Sequence, residues 1–341
     1  MKKSEKIILA ASGIVAAGFA ALAAVGCNVT KKLVTVALDR EQPKAPKKSG
    51  KRISGSTGQS EKFKELRTAA AESLKNCECE KVEITSYDGI NLVGHLRRFE
   101  DEKRLLIAMH GWRSSWTSDF GSISEFWHNN GCSVLYAEQR GQGESGGDYM
   151  GFGLTERYDC LEWIRWANEN GFADVPIYLC GVSMGAATVM MTAGLQLPEN
   201  VHGVIADCGF TSPHDIWKHV VENNLHMSFG GINAAIANDM CKKKIRMGTK
   251  EYSSIEAMKS CKVPVLFIHG TDDRFVPIEM TYENYKACAS PKRLFVVPGA
   301  EHAMSYLIDK EGYENSVKAF WKDFDTYTAK ATENEENQTE V

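Results

Sequence analysis

The sequence predicts an α/β fold in which a mostly parallel sheet is covered by helices on both faces. From residue 105 onward, short apolar segments of strand length alternate with helical segments, a pattern typical of parallel sheets. The predicted strands are Leu105–Met109, Ser133–Ala137, Ile177–Cys180, Val204–Ala206, Val263–Ile268 and Leu294–Val297. The predicted helices are Ser118–Asn130, Glu156–Asn170, Ala186–Leu195, Ile278–Ala289 and Gly312–Tyr327. Functional side chains are expected where the carboxyl ends of these strands meet.

Residues 1–30 are predicted to form a single membrane-spanning signal anchor. A short basic start precedes residues 7–30, which carry no charge, and the apolar core is close to the ~20 residues that a spanning helix needs. The basic start is typical of export and favours an extracytoplasmic domain. A lipoprotein signal is the alternative, because the four residues that end at Cys27 resemble a lipobox.

Residues 31–61 are predicted to be a basic flexible linker, because they are rich in lysine and contain a Pro-, Gly- and Ser-rich stretch. The globular domain is predicted over residues 62–330 and a disordered acidic tail over residues 331–341. The domain begins with a helix, Phe63–Lys75. A hairpin follows, in which two alternating segments flank Asp88-Gly89.

Composition excludes several classes of function. The net charge of −4 argues against a nucleic-acid binder. The ten cysteines are scattered without the spacing of metal ligands or of a disulfide framework. No cofactor or metal is therefore predicted.

Ser183 is the predicted nucleophile. It is the centre of Gly181-Val182-Ser183-Met184-Gly185, which follows an apolar strand and precedes a helix of small residues. A serine at such a strand-to-helix turn is held clear of the sheet, and the two glycines let the backbones approach closely. A second G-x-S-x-G, centred on Ser145, lies in a glycine-rich loop without that context, and Ser145 is predicted to be a turn residue.

Loops after other strands supply the remaining candidates. The backbone N–H groups of Trp112 and Met184 are predicted to bind the oxyanion of a tetrahedral intermediate. His110, next to Trp112, is expected to shape this loop rather than to catalyse. His302 follows the last strand and is the predicted general base.

The triad acid has three candidates. Asp272 and Asp273 lie in the loop after Ile268, and Asp207 ends the strand Val204–Ala206. All three lie near the carboxyl edge of the predicted sheet. The order Ser183, Asp273, His302 is the order of the nucleophile, acid and base in proteins with this serine turn.

These residues resemble the α/β-hydrolase superfamily. Within it, the sequence is most similar to a bacterial branch of membrane-anchored serine hydrolases, described as esterases, lipases or serine aminopeptidase-like proteins. The motifs, within residues 80–327, are His110-Gly-Trp112, Arg140-Gly-Gln-Gly-Glu-Ser145, Gly181–Gly185, His269-Gly-Thr-Asp-Asp273 with Val276-Pro277, and Gly299-Ala-Glu-His302. The sequence departs from this pattern at Gln142, where relatives often have a histidine.

The resemblance favours Asp273 as the acid, by its distance from His269 and Val276, and implies acyl transfer to water without a cofactor. It also implies a small helical lid over residues 209–256. Met227, Phe229 and Ile232 in this segment are candidates to line an acyl pocket.

The predicted function is hydrolysis of a carboxylic ester through an acyl-enzyme, with Ser183, His302 and Asp273 as the triad. A serine peptidase or an acyltransferase would use the same residues and stays an alternative. A non-catalytic binding module on this fold would have no need of a complete triad. The expected partners are a small-molecule acyl substrate and, through residues 7–30, a membrane; no nucleic acid or obligate protein partner is predicted.

Overall fold

The computed structural model describes residues 26–41 and 58–326 and contains an eight-stranded sheet. The strands are β1 (Glu80–Thr85), β2 (Asn91–Arg97), β3 (Arg104–Met109), β4 (Cys132–Ala137), β5 (Ile177–Val182), β6 (Val201–Asp207), β7 (Val265–Gly270) and β8 (Lys292–Val297). Their order is β1-β2-β4-β3-β5-β6-β7-β8. From β4 to β8 in that order all neighbours are parallel, whereas β2 is antiparallel to both β1 and β4. The predicted hairpin and mostly parallel sheet are confirmed.

The helices are α1 (residues 26–38), α2 (Gly58–Lys62), α3 (Lys64–Lys75), α4 (Trp116–Asn129), α5 (Glu156–Ala167), α6 (Met184–Ala193), α7 (Pro213–His219), α8 (Gly231–Ile245), α9 (Ser254–Ser260), α10 (Ile278–Ala287), α11 (Ser305–Ile308) and α12 (Lys310–Phe324). Every helix predicted from the alternation is present, within a few residues of its predicted ends. The sequence did not predict α1, α2, α9 or α11.

Helices cover both faces of the sheet, as predicted. In β3, Leu105 and Ile107 belong to the apolar cluster formed with α5, α6 and α9. The intervening Leu106 and Ala108 belong to the cluster formed with α3, α4 and α12. This alternation follows from the two-residue period of a strand, and it explains why both kinds of position are apolar.

Residues 31–41 correct the predicted linker, because most of them are helical and one face of that helix is buried. Residues 26–38 are helical, and Thr30, Val34 and Leu38 are at most 5% exposed. The spacing of four places these side chains on one face of α1, which packs against α7 and α8. The linker was predicted from the proline- and glycine-rich residues 42–57, which lie outside the described residues. Its extension to residues 31–41 was wrong.

Most of the predicted anchor, residues 1–25, lies outside the described residues, as does the predicted acidic tail. In the parts of the chain that the structure describes, no helix has the length and apolar character needed to cross a membrane. Membrane attachment therefore stays a prediction from the sequence.

Residues 209–256, the predicted lid segment, include the helices α7 and α8. Phe210, Ile216 and Phe229 are buried in an apolar cluster shared with α1. Ile232, one of the candidates for the acyl pocket, is instead 66% exposed.

Candidate active site

Ser183 lies at a strained turn between β5 and α6. Its φ of +56° is in the left-handed region, which a residue with a side chain rarely adopts, and its N–H donates to the carbonyl of Asp207 at 2.9 Å. A Cβ at Gly185 would overlap the carbonyl of Met109, and a Cβ at Gly181 would overlap the backbone of Gly185. The glycines are therefore required by the close approach of α6 to the sheet, as the motif predicts.

The three predicted catalytic side chains form one chain of hydrogen bonds. His302 Nε2 lies 3.0 Å from Ser183 Oγ, and His302 Nδ1 lies 2.6 Å from Asp273 Oδ2. Ser183 is 8% exposed, and the carboxylate of Asp273 is fully buried. The imidazole can therefore accept the serine proton at Nε2 while the carboxylate holds its Nδ1–H.

Asp273 has all of its acceptor positions directed at donors. Oδ1 accepts from the N–H groups of Phe275 and Val276, both at 2.9 Å, and Oδ2 also lies 3.1 Å from His269 Nε2. Burial would raise the pKa of this carboxyl. The charge of His302 and the hydrogen bonds from His269 and His302 outweigh burial and hold the pKa well below its usual range. Asp273 is therefore ionised at neutral pH.

The pKa of His302 is raised by the same interaction that lowers the pKa of Asp273. Burial would lower the pKa of the imidazole, but attraction and hydrogen bonding to Asp273, with smaller contributions from Asp207 and Asp119, raise it above the usual value. A raised pKa makes His302 a stronger base toward the serine proton.

The other two candidates for the acid have different surroundings. Asp272 is exposed and accepts a hydrogen bond from the hydroxyl of Thr271. Asp207 is buried, and its Oδ1 accepts from the hydroxyl of Ser305 at 3.3 Å. Burial raises the pKa of Asp207 to about 6. Neither carboxylate is hydrogen-bonded to His302, so the geometry favours Asp273.

The two predicted oxyanion donors belong to two separate segments of the chain. Met184 N–H begins α6 and so has no helical acceptor, and Trp112 belongs to the loop after β3. Both residues line the same pocket as Ser183. Trp112 N–H has no acceptor among the described residues.

Polar side chains outside the predicted site fix the loop of Trp112. Asp119 on α4 accepts from Gly111 N–H at 2.7 Å and from the Ser114 hydroxyl at 2.6 Å. Gln142 Oε1 accepts from Arg113 N–H at 2.6 Å. An acidic residue at the start of a helix was a visible signal, but its loop partners depend on tertiary structure.

His110 and Ser145 have the structural roles predicted for them. His110 is buried; its Nδ1 lies 2.8 Å from the Gly111 carbonyl, and its Nε2 accepts from Gln139 N–H. The Ser145 hydroxyl is buried, donates to the Glu138 carbonyl at 2.6 Å and accepts from a backbone N–H of β2. Ser145 therefore cannot act as a nucleophile without breaking the turn that it holds.

The loop of His302 is held from the N-terminal side of the domain. The side chain of Gln59 donates to the carbonyl of Gly299 at 2.6 Å and accepts from Glu301 N–H at 3.0 Å. Gln59 N–H in turn donates to the Glu301 carboxylate at 2.7 Å. No local pattern around Gln59 could have predicted these contacts, because the partners lie at the other end of the chain.

Two clusters of described residues bring metal-ligating atoms within 4.8 Å of one another: Cys208 with Asp273 and His302, and His95 with Glu138 and Glu144. In the first, the carboxylate and the imidazole are occupied by the hydrogen bonds given above. In the second, Glu138 is bonded to His95, and Glu144 is paired with Lys81 at 2.7 Å. Internal partners account for these groups, so we assign neither cluster to a metal.

An apolar pocket opens at Ser183. The aromatic side chains of Trp112, Phe152, Trp217, Phe229 and Phe275 contribute to its lining. Phe229 was a predicted lining residue, whereas Met227 packs on the surrounding cluster without reaching the pocket.

Comparison with protein families identifies the family of this chain. Residues 118–325 match the model of the prolyl oligopeptidase family, Peptidase_S9, which covers more than half of the chain. This region contains the nucleophile turn, the acid loop and the loop of His302.

The chain is also similar to individual proteins, at low sequence identity. The uncharacterized protein YqkD of Bacillus subtilis is 26% identical over 249 residues, 73% of this chain and 81% of its own. Rat lysophosphatidylserine lipase ABHD12 is 26% identical over 167 residues, 48% of this chain and 40% of its own. The structure of Pyrococcus furiosus esterase Pf2001 aligns with a TM-score of 0.61 at 22% identity, over 74% of this chain and 93% of its own. That structural match confirms the α/β-hydrolase fold.

Proposed function

Because the chain belongs to the prolyl oligopeptidase family, whose matched region contains all three triad candidates, we propose that it is a serine hydrolase that cleaves carboxylic esters. The observation that carries the proposal is the continuous chain of hydrogen bonds from Ser183 Oγ through His302 to the ionised Asp273. Its position at the mouth of an apolar pocket gives this triad a place to bind an acyl group.

The reaction follows from the geometry. His302 Nε2 removes the proton from Ser183 Oγ as the oxygen attacks the ester carbonyl carbon. The N–H groups of Trp112 and Met184 donate to the resulting oxyanion, each contributing about 3–4 kcal/mol to the transition state. The imidazolium, held by Asp273, then gives its proton to the departing alcohol, and water releases the acyl group by the reverse sequence of proton transfers.

An ester is favoured over a peptide because the pocket offers few polar groups. Recognition of a peptide backbone needs acceptors and donors that stay paired when water leaves, and the described lining is dominated by hydrocarbon and aromatic surface. Similarity to a lipase that acts on lysophosphatidylserine and to an archaeal esterase supports the same choice. A peptidase acting on small aminoacyl amides is the alternative, favoured by the family match alone.

The test compares the two serines that share a motif. Ser183→Ala should abolish hydrolysis of p-nitrophenyl esters and labelling by a fluorophosphonate probe, whereas Ser145→Ala should keep the label on Ser183 in whatever fraction remains folded. Aminoacyl amides, assayed beside the esters, distinguish the alternative. Labelling of Ser145, or undiminished ester hydrolysis in Ser183→Ala, would show that the assignment is wrong.

A further inference from the structure

Helix α1 forms one wall of the pocket at Ser183. Thr30, Leu33, Val34, Val36 and Ala37 all line it, together with residues of the lid helix α7 and of the turn that follows it. These two parts of the lining lie outside the sheet that positions the triad.

The end of α1 is also attached to the oxyanion loop. The indole N–H of Trp112 donates to the carbonyl of Ala37 at 2.9 Å. The guanidinium of Arg113 donates to the carbonyls of Val36 and Asp39, at 2.7 and 2.5 Å, and Arg113 itself has a φ of +52°. These are the carbonyls left unpaired at the C-terminal end of a helix, where a cation is favoured.

Three further contacts fix this segment to the domain. Asp39 forms an ion pair with Lys244 of α8 at 2.7 Å, in which both side chains are at most 24% exposed. Met150 N–H donates to the carbonyl of Leu38, and Arg40 N–H donates to the carbonyl of Asp148. The segment therefore contacts the oxyanion loop, the lid and the loop after β4 at once.

We infer that the pocket-lining face of α1 is the wall of the active site along which a long apolar acyl chain lies, and that the C-terminal end of α1 positions the oxyanion loop. The inference rests on the proposed ester hydrolysis and names its substrate class as esters of a single long acyl chain. An acyl chain fits because the wall offers branched aliphatic side chains to it along more than one helical turn. In sequence this wall directly follows the uncharged residues 7–25, which favours lipid esters as the source of the chain.

The role of α1 as a wall is tested by substitutions in the full-length chain that narrow the pocket. Val34→Trp should lower the ratio of kcat/KM for p-nitrophenyl decanoate to kcat/KM for the acetate by about tenfold or more, because each lost methylene contact costs a large factor. Lys32→Trp, on the exposed side of the same helix, is the matched control and should leave this ratio unchanged. Val220→Trp narrows the pocket from the turn that follows α7 and should lower the decanoate-to-acetate ratio as Val34→Trp does.

A second variant covers the case in which tryptophan displaces α1. Val34→Thr nearly keeps the side-chain volume but replaces one methyl group by a hydroxyl that the acyl chain must desolvate. It should therefore lower the decanoate-to-acetate ratio several-fold. Thermal unfolding identifies any variant that has lost its fold. If Val220→Trp lowers the ratio while Val34→Trp and Val34→Thr do not, the pocket binds acyl chains but α1 is not its wall. If the wild-type chain hydrolyses no ester, the proposed function itself fails.

The attachment of α1 to the oxyanion loop needs a separate measurement. Arg113→Ala should lower kcat for acetate and decanoate alike by about tenfold or more with a smaller change in KM, because the donor of Trp112 moves out of line. Arg113→Lys should recover part of the loss, since an ammonium group can still donate to one carbonyl. Wild-type kcat in a folded Arg113→Ala would overturn the positioning role.

Discussion

Replacing Asp273 by asparagine should abolish most of the activity for a reason that the structure makes specific. Oδ1 accepts from two backbone N–H groups, those of Phe275 and Val276. The asparagine oxygen must occupy that place, so its NH₂ group faces His302 Nδ1. Nδ1 then becomes an acceptor, the imidazole proton moves to Nε2, and Ser183 loses its base.

The size of the expected loss of turnover follows from the change of tautomer in His302. The same substitution in a serine protease lowers turnover by about 10⁴, which corresponds to about 5.5 kcal/mol in the activation free energy. Asp272→Asn should cost little, because that side chain is exposed and bonded only to its neighbour Thr271 among the described residues. Asp207→Asn should cost far less than Asp273→Asn, because its carboxylate is bonded to Ser305 and not to His302.

The assay is steady-state turnover of a p-nitrophenyl ester by the three variants, with fluorophosphonate labelling as a second readout of nucleophile strength. Thermal unfolding separates loss of chemistry from loss of fold. The reasoning would be refuted by an Asp273→Asn variant that keeps most of its turnover, and the acid would be Asp207 if that substitution were the crippling one.

Three other outcomes are expected. Asp273 raises the pKa of His302 despite the burial of the imidazole, and the imidazole must be neutral to accept the serine proton. We therefore expect kcat/KM to increase with pH, with a midpoint above the pKa of ~6.5 of free histidine. A midpoint below that value would contradict the raised pKa. Gly185→Ala should destabilise the fold by about 3 kcal/mol or more in urea. Gly230→Ala should not, because its Cβ would make only an ordinary contact with the side chain of Ser228; equal unfolding midpoints would contradict the close approach of α6 to the sheet. The full-length chain should sediment with membranes and resist carbonate extraction; labelling of Cys27 by palmitate, with loss of the first 26 residues, would contradict the spanning anchor and favour the lipoprotein signal.

The arrangement of Ser183 and His302 was predictable because each lies in the turn or loop that follows a strand. The order of apolar strands fixes which loops meet at the carboxyl edge of a parallel sheet, and the glycines at 181 and 185 mark the close approach of a helix. The acid was less predictable, because Asp207 and Asp273 both lie at that edge. Tertiary contacts distinguish them: Asp273 is hydrogen-bonded to His302, and the backbone N–H groups of Phe275 and Val276 orient its carboxylate.

The role of α1 was missed although a signal was present. Thr30, Val34 and Leu38 are spaced by four and form the buried face, but the lysines at 31 and 32 and the Pro-rich residues beyond 41 dominated the composition of the segment. The attachments of Arg113 and Gln59 had no local signal, because hydrogen bonds between distant parts of the chain leave no periodicity in the sequence.

The bonds between Gln59 and Glu301 join residues separated by 242 positions, and they bear on the order in which the enzyme becomes competent. During synthesis the N-terminal segment emerges first, yet the loop that it holds is among the last parts of the domain to be made. Closing so long a loop requires the intervening sheet to be folded already. An unfinished chain therefore carries its nucleophile without its base, and hydrolysis begins only when the final strand and helix have joined the sheet.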